Sequence, residues 1–213
     1  MTEYLTEQEQ IEQIKNWIKQ YGPTVIAGIV LALVIVTGWH YWEDRQNRIL
    51  THASGVYDEM LTLRAQNDAP AAIIQAQKLL DHYAKTPYAQ MAAFLLARDA
   101  VANKDYETAI TQLTWVIKHS HNDAMRAIAK IRIARIQLAE DKAEDSLNTL
   151  NKIDDKSFSA LADETRGDAY LSLKQAKDAK LAYQQALQEL PSDETTRRPL
   201  LQMKIDNLAN VTS

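Results

Sequence analysis

The stretch GDAYLSLKQAKDAKLAYQQALQELP, from Gly167 to Pro191, decides the fold. It reads as two helical runs joined tightly at Lys174-Gln175. In the first run, Gly167 is followed three residues later by Tyr170. In the second, Ala179 is followed four later by Tyr183 and then three later by Ala186, and Pro191 closes the unit. Two helices that cross closely need small residues at the crossing and a ring to fill the gap beside them. The spacing supplies both, so the unit predicts a packed helix pair.

Working backwards, the same phase recurs. Alanines fall at Ala76, Ala109, Ala143 and Ala179, at intervals of 33, 34 and 36 residues. Apolar residues follow each one four and seven positions later: Leu80 and Tyr83, Leu113 and Val116, Leu147 and Leu150, Tyr183 and Ala186. Asn103-Lys104-Asp105 and Glu140-Asp141-Lys142 read as further tight helix–helix joints, and Pro70, Pro87 and Pro191 punctuate helix boundaries. The spacings of the last unit resemble the tetratricopeptide consensus. The expected fold is therefore all-α. A single N-terminal transmembrane helix precedes a tetratricopeptide-repeat-like solenoid of about four helix pairs. A terminal helix, Pro199 to Leu208, caps the exposed end of the stack. One continuous core is expected.

Composition agrees. From Glu43 to Ser213 there are 28 alanines and four valines, a bias toward helix over strand. Only Gly55 and Gly167 remain in that stretch, too few for a glycine-rich phosphate loop. With no cysteine in 213 residues, disulfide frameworks, thiolate metal sites and cysteine nucleophiles are excluded. The net charge of −4 offers no basic surplus for nucleic acid.

Pro23 to Trp42 is a run of 20 residues without Asp, Glu, Lys or Arg. As a helix it rises about 30 Å, the thickness of a bilayer hydrocarbon core. Trp17 and Tyr21 precede it, and Trp39, Tyr41 and Trp42 end it, as rings do at the headgroup level. A cleaved signal would start basic and leave through small residues. This tail carries Glu3, Glu7, Glu9 and Glu12, and the exit is aromatic, so a retained anchor is expected. Gly22-Pro23 suits a helix start. Residues 1–22 form a tail, 23–42 the anchor and 43–213 the repeat domain. Within the tail, Ile11, Ile14, Ile18 and Tyr21 recur at helical spacing. They suit either an amphipathic helix at a surface or partner, or a continuation of the anchor. Orientation stays open on charge, because Lys15 and Lys19 on one side balance Arg45 and Arg48 on the other. Gly28 and Ala32 put a small-residue step on one face of the anchor, suited to a neighbouring membrane helix or simply to lipid.

No catalytic, cofactor or metal site is expected. His119-Ser120-His121 is the one close histidine pair and reads as a solvated joint between helices. No serine or threonine stands in a nucleophile-elbow context. The best binding candidate is the inner stripe of the solenoid: Met91, Phe94, Arg98 and Val101, then Met125, Ile128, Arg132 and Arg135, then Leu161, Glu164, Asp168 and Leu171. Arginines among methionine and aromatic side chains suit an extended polypeptide. The alternative is that the apolar members are inter-helix core and the arginines a solvated face.

The acidic tail, an anchor ending Gly38-Trp39-His40-Tyr41-Trp42, the degenerate repeats with Arg166-Gly167-Asp168-Ala169 and the closing Met203-Lys204-Ile205-Asp206-Asn207-Leu208 together resemble the YfgM family. The resemblance covers essentially the whole chain. It implies a bacterial inner-membrane protein with a cytoplasmic N-terminus and a periplasmic repeat domain. It also implies an ancillary role at the SecYEG translocon beside the membrane-anchored chaperone PpiD, with emerging polypeptides as further partners. The family's motifs are not catalytic and transfer no active-site residues. A rival expectation is a general scaffold for assembling an envelope complex unrelated to secretion.

Overall fold

The computed structural model describes residues 7–153, 155–191 and 193–209. Glu3, with the rest of residues 1–6, and the last four residues of the expected repeat domain lie outside them. The chain divides into two units, residues 1–52 and 53–213.

The first unit is helical from Glu7 onward and forms most of α1 (Glu7–Ala65). Pro23 does not start a helix. It stands inside α1, so the helix runs through the point where a start was expected. From Glu7 the tail thereby continues in the same helix as the anchor. Proline there lacks the N–H for one backbone bond, and its neighbour Gly22 adds no side-chain bulk. Among the described residues α1 is the one helix long and apolar enough to cross a bilayer, and none of its apolar stretch is buried within the protein. Late in the stretch, the Thr37 hydroxyl donates back to the Leu33 carbonyl at 2.7 Å, which hides its polarity. Ring pairs flank the stretch, Trp17 with Tyr21 and Trp39 with Trp42, each at 5.9 Å between centroids.

The second unit begins at Ala53, still within α1. It continues through α2 (Ala69–His82), α3 (Pro87–Ala102), α4 (Tyr106–His119), α5 (Asp123–Ala139), α6 (Ala143–Leu150), α7 (Ser159–Ser172), α8 (Ala176–Glu189) and α9 (Arg197–Ala209). The end of α1 serves as the first helix of the first pair: Ala53, Val56 and Met60 are buried in one cluster with Ala72, Ala76 and Leu79 of α2. The pairs α3–α4, α5–α6 and α7–α8 follow, and α9 packs on α8. The phased alanines Ala76, Ala109, Ala143 and Ala179 are all buried. The longer last interval has a structural cause, a short 3-10 turn (Lys156–Phe158) inserted between α6 and α7.

The joints within pairs share one construction. Asn67, Lys104, Asp141 and Lys174 each take a left-handed φ between 60° and 62°. The following amide donates to a carbonyl five residues back: Asp68 to Leu63, Asp105 to Ala100, Lys142 to Gln137 and Gln175 to Tyr170, at 2.8–3.0 Å. This is the Schellman closure, made here without glycine. Asp68 and Asp105 then cap the next helix, accepting from Ala71 N and Thr108 N at 3.1 Å. Joints between pairs are capped by Thr86 and Asn122 instead.

Gly167 and Tyr183 meet as their spacing predicts. A Cβ on Gly167 would lie 2.3 Å from Tyr183 Cε1, so only glycine admits this crossing. The buried core falls into three clusters rather than the continuous one expected. They span α1 to α5, part of α5 to α7, and α8 with α9. Between them the crossing faces carry Asp163, Thr165 and Gly167, which are buried but contribute little apolar surface.

Candidate functional site

The first helices of the second and third pairs, α3 and α5, frame two joined clefts. One, about 340 Å³, is lined by Met91, Phe94 and Arg98 of α3, by Met125, Ile128 and Arg132 of α5, and by Tyr57 and Leu95. The other, about 290 Å³, shares Arg98 and Arg132 and adds Val101, Arg135 and the aliphatic wall of Ala97, Leu113 and Ile136. The stripe predicted across these two helices is thus one groove, with Arg98 and Arg132 common to both halves. Helical periodicity puts the stripe on one face, and the repeat places one face beside the next.

Each arginine is held differently. Arg132 lies over the Phe94 ring, Cζ at 4.7 Å from its centroid. Desolvation by the surrounding side chains, and then repulsion from Arg135, press its guanidinium below the ordinary arginine range. Arg135 Nε donates to Thr165 Oγ1 at 3.3 Å. Arg98 reaches Asp99 Oδ1 at 3.3–3.4 Å, but Arg64 Nη2 already donates to that oxygen at 2.8 Å, and its Nη1 pairs with Oδ2. The Arg64 hydrogen bonds hold the Asp99 carboxyl below the usual carboxylate range. Among the described residues no carboxylate pairs with Arg132 or Arg135.

Glu164 and Asp168 of α7 line neither cleft. Lys204 of α9 pairs with both, at 3.2 and 2.7 Å, and Asp168 also accepts from the Tyr183 hydroxyl at 2.7 Å. Burial first, and then Asp168, push the Tyr183 phenol well above its usual range. These two acids fasten the capping helix. Leu161 packs in the core cluster shared by α5 and α7, and Leu171 is exposed. Sequence reading missed Tyr57 and Leu95 in one cleft and the aliphatic wall of Ala97, Leu113 and Ile136 in the other; of these Tyr57 is the aromatic one. It lies within the expected repeat domain, ahead of the first phased alanine, where the spacing of Ala53, Val56 and Met60 carried the signal. Its ring meets Tyr88 at 5.7 Å.

The joint His119-Ser120-His121 is not simply solvated. Ser120 is buried and donates to Gln90 Oε1 at 3.1 Å, and His119 stacks on Trp115 at 4.3 Å. The serine ties α3 to the α4–α5 joint and thereby fixes the spacing of the two pairs that frame the groove. Among the described residues no group of His, Asp and Glu is arranged to hold a metal ion. Gly28 and Ala32 are exposed on α1, and a Cβ built on Gly28 would meet open space beyond its own helical turn.

The chain is similar to curated proteins over nearly its full length. It is 29% identical over 210 residues to a protein of Neisseria gonorrhoeae, covering 98% of this chain and 100% of that one. It is 28% identical over 207 residues to a protein of Escherichia coli (97% and 98%), and 27% over 204 residues to one of Haemophilus influenzae (96% and 98%). All three carry the name "Ancillary SecYEG translocon subunit", which bears out the resemblance to YfgM-like proteins. A solved structure, "MamA RS-1 ArsTM double mutant", superposes with a TM-score of 0.52 at 16% identity, over 76% of this chain and 96% of that one, a likeness of fold alone. The family model described as a tetratricopeptide repeat-like domain matches residues 15–210, and the phased alanines, the Gly167–Tyr183 crossing and the capped stack are its structural counterpart: the chain belongs to the tetratricopeptide repeat-like domain family.

Proposed function

We propose that this protein is a non-catalytic, single-pass inner-membrane adaptor of the SecYEG translocon. Residues 23–42 anchor it, the tail faces the cytoplasm, and the repeat domain, placed at 43–213, faces the periplasm. There it works with a PpiD-like membrane-anchored chaperone and meets emerging polypeptides through the groove between α3 and α5. The observation that carries this reading is the combination of an unburied membrane-length apolar helix with a groove-bearing repeat domain, in a chain that matches translocon subunits end to end.

Several features support it. The titratable side chains lining the clefts are arginines and Tyr57, and the lining includes no acid, histidine or nucleophile, which suits holding a chain rather than transforming it. Tethering raises the local concentration of the groove toward membrane-bound partners, so modest affinity suffices. The Gly28–Ala32 face allows a neighbouring membrane helix to approach closely.

The test is site-specific photocrosslinking in intact membranes, from Met91 and Met125 in the groove and from Gly28 in the anchor. Groove positions should give adducts with the chaperone, and the anchor should give adducts with translocon subunits. Adducts confined to envelope components outside secretion would favour an assembly scaffold instead. Protease added to spheroplasts should digest the repeat domain and spare the tail; protection of the repeat domain until lysis would reverse the orientation.

A further inference from the structure

Resting on the reading of this groove as a polypeptide-binding surface, we propose that it selects extended segments that present a carboxylate beside large apolar side chains. The argument starts from charge. The protein as a whole is acidic, at −4, yet the ionised groups lining the clefts are Arg98, Arg132 and Arg135. The acid beside Arg98 and the two that share the inward spacing are already engaged. Asp99 is committed to Arg64 by two hydrogen bonds and gives Arg98 only a long contact. Glu164 and Asp168 are held by Lys204. Arg132 and Arg135 have no carboxylate partner among the described residues, and they stand against an aliphatic wall. A positive surplus kept in an apolar cleft is complementary to an anion that arrives with its own apolar neighbours.

The arginines suit a carboxylate better than a diffuse negative field. Stacking of Arg132 on Phe94 restricts the guanidinium before any ligand arrives, so less ordering remains to be done on binding. A guanidinium fork meets a carboxylate through two parallel hydrogen bonds, and the apolar walls keep competing water away. The half of the groove around Met91, Met125 and Ile128 is adaptable and apolar. In an extended chain, side chains two apart project to the same side. An acid and a leucine or phenylalanine at that spacing therefore enter the two halves together.

The test uses the full chain in nanodiscs of phosphatidylcholine, which carries no net charge, and three fluorescein-labelled twelve-residue peptides. One alternates Asp or Glu with Leu or Phe at a spacing of two, the second replaces the acids by Asn and Gln, and the third replaces them by Lys. The acidic peptide should bind about 10-fold more tightly than its amide version, with an advantage that shrinks as salt rises. Arg132→Gln with Arg135→Gln should abolish that advantage, and the corresponding double Lys variant should keep part of it. Arg126→Gln, outside the groove, should leave it intact. Helical content and melting of each variant verify folding. Equal binding of the acidic and amide peptides, with both weakened by Phe94→Ala and Met125→Ala, would overturn anion selection and leave the groove reading standing. Tighter binding of the Lys peptide would also overturn the selectivity. Binding of none of the three, or binding indifferent to every groove variant, would overturn both.

Discussion

Gly167 shows how much one side chain can be asked to be absent. Its α-carbon faces the fully buried Tyr183 ring, and an added methyl would overlap Cε1 and Cδ1 at 2.3 and 2.4 Å. Gly167→Ala should destabilise the repeat domain by about 1–3 kcal/mol, the range for overpacking a filled core, despite the better helix propensity of alanine. Thermal melting checks it, and Tyr183→Leu in the same chain should recover part of the loss, since the pair shares one space. Asp99 offers a second test at this scale. Its carboxyl is lowered by Arg64, so the pair contributes stability above the unfolded carboxylate pKa, near 4, and loses it as pH falls through the lower folded value. Both partners are partly exposed, which holds the contribution to on the order of 1 kcal/mol. Asp99→Asn should therefore melt below the parent at pH 7, and the gap should close as pH falls below about 4.

At the scale of elements, the joints are where this fold gives up stability. Four of them place non-glycine residues at left-handed φ, a conformation that costs an L side chain about 1–2 kcal/mol. Lys104→Gly and Lys174→Gly should each stabilise the domain by about 0.5 kcal/mol, the strain relieved less the extra unfolded-state entropy of glycine. Denaturant melts would show it as a higher midpoint with an unchanged slope. The capping helix α9 lies at the other extreme. Leu201, Ile205 and Leu208 are buried against the last pair, and Lys204 reaches across to Glu164 and Asp168. Removing residues 197–213 should cost on the order of 3 kcal/mol or more, because it uncovers the apolar face around Tyr183 and takes the Lys204 ammonium from Glu164 and Asp168. Loss of the cap should leave the groove between α3 and α5 assembled, since in a solenoid each pair leans chiefly on its neighbours. Peptide binding by the truncated chain, measured at low temperature, reads that independence.

For the molecule as a whole, membrane attachment depends on the unbroken apolar run. Leu31→Asp together with Val34→Asp places two charges mid-span at about 2.5–3.5 kcal/mol each. The variant should appear in the soluble fraction after alkaline carbonate extraction, whereas the parent should stay with the membrane. Its repeat domain should keep its helical circular dichroism, because the core clusters begin at Ala53 and contain no residue of the span.

What could be read along the chain was whatever a helix writes at its own period. The phase of the pairs, the small residues at crossings, the ring opposite Gly167, the apolar span and the cap all follow from local spacing, since each needs only to know which face of a helix a residue occupies. Choices between partners were invisible there. Glu164 and Asp168 shared the inward spacing of the groove arginines, but Lys204, 40 and 36 residues away, claimed them. Asp99 went to Arg64 across 35 residues, leaving the groove its surplus charge. Tyr57 joined the groove because the helix that begins as the anchor ends as the first helix of the first pair, with no break in sequence to announce it. Such pairings depend on which surfaces the stacking brings within a few ångströms, and that distance exists only once the chain has folded.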